Sequence, residues 1–244
     1  MSEGSEEKLK EMGFLEHLEE LRSTIIHSLV VWTFVSIVLW FFSRHILNFL
    51  LRDLPVESLY FLSPIGAFMI RIKISFVVGF LIVFPYILFR VWAFVSPALF
   101  SREKKVVVPL ITSSTVLFYL GVTFAYWILI PIVLRFLVKF GTELLRPLIS
   151  VDRYFSFVAR LCFAFGVVFQ LPLIIIFLVS AGIISAVTLL KQWRWAVILI
   201  FTASAILTPP DITSQLLMGV PLVVLFLSSA AIGLIIEKRR GSKE

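Results

Sequence analysis

The sequence predicts an all-α integral membrane protein of about six transmembrane helices. Only 15% of its residues are charged, against roughly 25% in soluble domains. Hydrophobic residues make up 60%, mean hydropathy is +1.04, and long apolar runs recur along all 244 residues. About 20 apolar residues suffice for a helix to cross the hydrocarbon layer. The runs are continuous and lack the polar-in, apolar-out alternation of a membrane barrel, so helices are predicted rather than strands.

Residues 1–22 read as a cytoplasmic segment with a surface helix, residues 23–236 as the transmembrane domain and residues 237–244 as a cytoplasmic tail. Leu9, Met12, Leu18 and Leu21 fall near one face at helical spacing, with Phe14 beside them and glutamates elsewhere. That pattern predicts a short helix on the membrane surface, with a break at Gly13. Its acidic face suits a cationic ligand. Seven glutamates against two lysines in the first twenty-one residues are the reverse of a secretory n-region.

The six spans are predicted near residues 23–42, 72–91, 106–130, 154–179, 195–207 and 212–236. Residues 56–71 form the external approach to the second span, which Pro85 should kink. A basic loop, SPALFSREKK, follows at 96–105. The third span should stop near Pro131, and residues 132–153 should form an external loop with a short helix. The fourth span contains Arg160, Gln170 and Pro172. The fifth run has only 13 residues, short for an untilted crossing. Thr208, Pro209, Pro210 and Asp211 then make a tight turn that pairs the last two spans as an antiparallel hairpin.

With both termini inside, 13 of the 22 Lys and Arg residues lie on the cytoplasmic side, the bias expected of cytoplasmic loops. The net charge of +7 is therefore read as helix orientation and headgroup contact. No cluster has the interleaved aromatics of a nucleic-acid surface. Cys162 is the single cysteine, which excludes an intramolecular disulfide. His27 and His45 are 18 residues apart, towards opposite ends of the first span, about 27 Å in a straight helix, too far to share a metal. No hydrolase triad order, phosphate-binding glycine loop or zinc motif is present, so neither enzymatic activity nor a cofactor is expected.

Two features invite a functional reading. Gln170 places an amide with four hydrogen-bonding positions inside the bilayer, where it must face protein or a wet cavity. An interhelical contact and a ligand-binding role both satisfy it. Glu16, Glu19, Glu20 and Glu103 lie on one predicted membrane face; they are either solvated charges or a receptor for arginines, which favour bidentate carboxylate contacts.

HLEELR at 17–22, FVSPALFSREK at 94–104, Ser63-Pro64 with Lys73, Gly121 with Tyr126 and Pro131, FGVVFQLP at 165–172, and TPPD at 208–211 followed by Gln215 and Pro221 occur in this order. Over roughly residues 14–236 the chain resembles the TatC family, the large six-span subunit of the twin-arginine protein translocase. The resemblance implies a concave, glove-like arrangement with short fifth and sixth helices in the cytoplasmic membrane of a bacterium or archaeon. It implies binding of twin-arginine signal peptides on folded precursors and transport driven by the proton motive force. The implied partners are small single-span subunits of the TatA and TatB kind and further copies of the chain, with no nucleic acid.

Carried over by position, the resemblance assigns signal-peptide binding to Glu20, Glu103 and Phe94, with Glu19, Arg22 and Lys104 nearby. It assigns an intramembrane polar role to Gln170 and partner docking to the region of Thr208, Pro209, Asp211 and Gln215. Gly66, Gln170 and Leu227 stand where relatives often carry glutamate. A secondary transporter or channel would instead show an internal repeat or an ionisable central route. A passive scaffold would show the spans without carboxylate-dependent recognition.

Overall fold

The computed structural model describes residues 3–51, 60–61, 65–99, 104–138, 150–180, 182–207 and 212–241. Its helices are α1 (Glu3–Leu51), α2 (Gly66–Leu99), α3 (Lys104–Phe124), α4 (Ile130–Val138), α5 (Val151–Val168), α6 (Leu171–Ser180), α7 (Ala186–Lys191), α8 (Trp193–Leu207) and α9 (Ile212–Gly241). A π-helical turn, Ala125–Leu129, joins α3 to α4. The one β-bridge among the described residues pairs Tyr60 with Ser150. The fold is all-α, and five stretches are long and apolar enough to span a membrane, with α8 a shorter sixth.

The chain divides into two compact units, Met1–Arg52 with Phe68–Thr112, and Asp53–Ala67 with Ser113–Glu244. In the first, α1 packs on α2 through small residues and aromatic edges. A Cβ placed on Gly79 would lie 2.4 Å from Ser36 Oγ and 3.2 Å from Ser36 Cα, so only hydrogen fits at this crossing. Small residues let membrane helices approach closely where no hydrophobic effect drives them together. Four residues before Ser36, the Trp32 indole N–H donates to the Phe76 carbonyl at 2.8 Å. The same ring meets Phe76 and Phe80 edge-on, at 5.7 Å and 5.9 Å between centroids, the geometry aromatic quadrupoles favour.

In the second unit the same device joins α3 to α5. A Cβ on Gly166 would meet Phe118 Cε2 at 2.4 Å, and one on Gly121 would meet the Phe165 carbonyl oxygen at 2.5 Å. Phe118 and Phe165 are fully buried. Beyond them α6, α7 and α9 together bury Ile175, Val179, Ala186 and Phe226. The ordinary inside-out rule does not hold at the periphery. Phe34, Phe41 and Phe49 on α1, and Trp195, Leu199 and Ile206 on α8, are exposed; in a bilayer those side chains meet acyl chains at no hydrophobic cost.

Several expected boundaries move, each for a local reason. The separate surface helix with a break at Gly13 is absent, because α1 runs from Glu3 to Leu51 without interruption. One glycine costs only about 1 kcal/mol of helix propensity, and helix-forming Glu, Lys, Leu and Met surround it. The second helix begins at Gly66, inside the expected external approach, and continues unbroken through Pro85. It passes Arg71 because that side chain bonds to Ser43 of α1.

The third helix does not end at Pro131. Proline lacks an N–H and opposes the carbonyl four residues earlier. Here the preceding turn widens, so that the Ile130 N–H bonds to Ala125 rather than Tyr126, and α4 then continues to Val138. The fourth expected span is two helices, because Pro172 cannot bond to Val168. The Gln170 N–H closes a tight turn on Val167 at 3.0 Å, and α6 restarts at Leu171. Of the two helices expected to be short, only α8 is, at 15 residues, about 22 Å against the ~30 Å hydrocarbon layer. By contrast α9 runs for 30 residues through Pro221, losing a single helix hydrogen bond there.

Candidate functional site

The residues expected at a signal-peptide site fall on the first unit as far as they are described. Leu18, Glu19, Glu20, Leu21 and Arg22 are all exposed on α1, immediately ahead of its apolar stretch. Glu20 already takes part in an interaction within the chain. Phe94 is half-buried near the end of α2. One helical turn before it, Arg90 has its Nε buried with no hydrogen-bond partner among the described residues. Glu103 lies outside the described residues. Lys104 opens α3, but its side chain is likewise not described.

Gln170 is buried in the turn between α5 and α6. Its amide nitrogen donates to the Ser114 carbonyl of α3 at 3.0 Å and reaches the Gly166 carbonyl at 3.5 Å. Both amide hydrogens therefore have acceptors, and the contact ties the α5–α6 turn to α3. Ser114 is fully buried; as a backbone acceptor it leaves no trace in residue identity. The adjacent Gly121, Phe118, Phe165 and Gly166 contacts keep α3 within reach of that amide.

On the α8–α9 hairpin the Gln215 amide nitrogen donates to the Phe201 carbonyl at 2.9 Å. A Cβ on Gly219, one turn along, would meet Phe201 Cε1 at 2.6 Å. Thr208, Pro209 and Asp211 lie outside the described residues. Gly66 is the first residue of α2, and Leu227 is exposed on α9. Arg160 is exposed and bonds back to the Ser156 carbonyl at 3.1 Å, and Cys162 is buried. His27 bonds to the Ser23 carbonyl one turn earlier, at 2.7 Å. Among the described residues no group of three His, Cys, Asp or Glu could hold a metal ion.

Two contacts were not anticipated from the sequence. Glu237, near the end of α9, accepts the Ser185 hydroxyl on Oε1 and the Ala186 N–H on Oε2, both at 2.8 Å. It does for α7 what Ser185 would ordinarily do by capping it locally. A serine before a short helical run is the only hint in the sequence. The second is the set of Trp40, Ser43 and Arg71, whose members come from two helices and share no motif.

Residues 16–221 match the family described as "Sec-independent protein translocase protein (TatC)". The Sec-independent protein translocase protein TatC of Aquifex aeolicus is 38% identical over 235 residues, covering 94% of this chain and 98% of that protein. That of Carboxydothermus hydrogenoformans is 36% identical over 238 residues, covering 96% and 98%. A solved structure described as "Crystal Structure of Twin Arginine Translocase Receptor- TatC" superposes with a TM-score of 0.82 at 38% identity. It covers 90% of this chain and 99% of that one. With its apolar helices and this likeness along nearly its whole length, the chain belongs to the TatC family of protein translocase components, multi-pass proteins of the inner membrane.

Proposed function

We propose that this chain is the receptor subunit of a twin-arginine translocase. It binds the paired arginines of signal peptides on folded precursors and assembles with small single-span subunits for export driven by the proton motive force. The observation that carries the reading is the exposed Glu20 at the head of the first apolar stretch, in a chain so similar to a protein described as a twin-arginine translocase receptor. Glu20 and Glu103 supply the two carboxylates, with Phe94 as the apolar wall and Glu19, Arg22 and Lys104 adjusting the local field. Guanidinium forks engage carboxylates through two parallel charge-assisted bonds, which ammonium groups cannot do. The positive charge of Arg90, one turn from Phe94, makes those carboxylates more necessary. Gln170 holds the intramembrane helices together beside the route of assembly, and the segment carrying Thr208, Pro209 and Asp211, with Gln215, forms the docking region for partner helices.

The test is binding of a twin-arginine signal peptide and its twin-lysine counterpart to the full chain and to the Glu20→Gln, Glu103→Gln double variant. Twin-arginine binding should fall about tenfold or more in the double variant, which corresponds to ~1.4 kcal/mol. The twin-lysine peptide should bind weakly throughout. Equal affinity for both peptides, unchanged by the double substitution, overturns the receptor reading and leaves a scaffold.

A further inference from the structure

A second cation-centred cluster lies in the first unit, away from the arginine-recognition residues. Arg71 of α2 donates from Nε to Ser43 Oγ of α1 at 2.9 Å. Its guanidinium carbon stands 4.9 Å from the centroid of the Trp40 ring. Ser43 is fully buried, and its own hydroxyl donates to the Trp40 carbonyl at 2.6 Å. The relay from Arg71 through Ser43 to Trp40 therefore fixes the serine rotamer, and with it one edge of the guanidinium. Trp40 in turn meets Phe68 edge-on at 5.3 Å.

This arrangement, among the described residues, holds a charge without neutralising it. Among the described residues, the side-chain partners of Arg71 are Ser43 and Trp40, neither of them acidic. A guanidinium has five N–H donors, and one is committed to Ser43. The terminal nitrogens remain as the fork that matches phosphate oxygens. Trp40 lies twenty residues after Glu20, about 30 Å along a straight helix, the thickness of the hydrocarbon layer. It therefore belongs to the far interface, where tryptophan rings and arginines meet headgroups. Around it Phe41 and Phe68 are exposed, at 74% and 53%, and offer acyl chains a surface beside the cation.

We propose that Arg71, held by Ser43 and Trp40, binds the phosphate of an anionic phospholipid headgroup at the membrane face opposite Glu20. The lipid supplies the missing negative charge, and its chains lie along Phe41 and Phe68. Headgroup binding here braces α1 against α2 without involving the signal-peptide residues.

The test uses the purified full chain in mixed-lipid bilayers. Retention of phosphatidylglycerol is compared with that of phosphatidylcholine carrying the same chains. One favourably placed cation is worth about 1 kcal/mol toward an anionic headgroup, so the unmodified chain should prefer phosphatidylglycerol about fivefold. Arg71→Gln should abolish that preference. Arg71→Lys keeps the charge but loses the fork and the serine bond, and should retain about half of it. Ser43→Ala frees the guanidinium and should also lower it. Equal retention of the two lipids by the unmodified chain, or a preference untouched by Arg71→Gln, overturns the proposal. So does specific binding of inorganic phosphate in detergent that Arg71→Gln removes, since it would reassign the site to a soluble anion. If Arg71→Gln fails to fold, the lysine variant and the unmodified chain still decide the matter. Twin-arginine peptide binding, measured in parallel, should be unchanged in Ser43→Ala.

Discussion

Gly79→Ala tests whether the close α1–α2 crossing holds the first unit together. The added methyl would lie 2.4 Å from Ser36 Oγ, 3.2 Å from its Cα and 3.3 Å from its Cβ. Non-bonded heavy atoms sit most favourably at about 3.5–4.0 Å, so relieving the hydroxyl contact requires a movement of about 1 Å. The hydroxyl cannot swing aside freely, since it is bonded to the Trp32 carbonyl at 2.8 Å. Moving the helices apart would also stretch the Trp32 to Phe76 bond four residues away. Overpacking of this kind costs about 1–3 kcal/mol. Ser36→Ala by itself removes only an intrahelical bond and should be nearly neutral. In the Ser36→Ala background the worst contact disappears and only the two near 3.2–3.3 Å remain, so the penalty of Gly79→Ala should fall by about 1 kcal/mol, within the usual range for touching residues. Reversible unfolding of the four proteins in one detergent, analysed as a double-mutant cycle, measures this. Additivity within about 0.3–0.5 kcal/mol, or a neutral Gly79→Ala, would refute the reasoning.

Other outcomes follow from the same geometry. Gln170→Leu removes the bond to the Ser114 carbonyl while leaving the residue comparably bulky, and should cost about 0.6–2 kcal/mol in unfolding measurements and weaken transport or assembly in a quantitative assay. An unchanged stability together with normal transport would show the amide to be dispensable. Glu237→Ala strips the Ser185 hydroxyl and the Ala186 N–H of their acceptor and should cost about 1–3 kcal/mol, with faster hydrogen exchange confined to residues 185–191. Glu237→Gln keeps one acceptor oxygen and should show a smaller effect. In a Cys162→Ala background, a cysteine placed at Pro210 should react with an impermeant reagent added from outside intact cells, the outcome that six crossings with both termini in the cytoplasm require. Reaction only after the membrane is opened would reverse that arrangement.

The sequence alone determined what depends on composition and short range. Continuous apolar runs, sparse charge and the order of HLEELR, FGVVFQLP and TPPD were enough for a multi-pass α-helical protein of the TatC family. That legibility has a physical source: a bilayer demands internally bonded backbone, and each crossing needs a counted length of apolar residues. The tertiary structure decided where helices end and what the polar groups inside them do. Pro85 and Pro221 lie within continuing helices. Near Pro131 the chain widens by a π turn, and near Pro172 it breaks, so the residue type alone does not set the outcome; the available carbonyls and neighbours do. Gln170 is recognisable as a buried amide needing partners, but its acceptor is a backbone carbonyl 56 residues away. Arg71 and Glu237 read as flanking charges until a serine from another helix, or a distant helix start, meets each of them. Such pairings lie beyond local pattern because hydrogen-bond satisfaction is a condition on groups close in space, and only the packed helices bring those groups together.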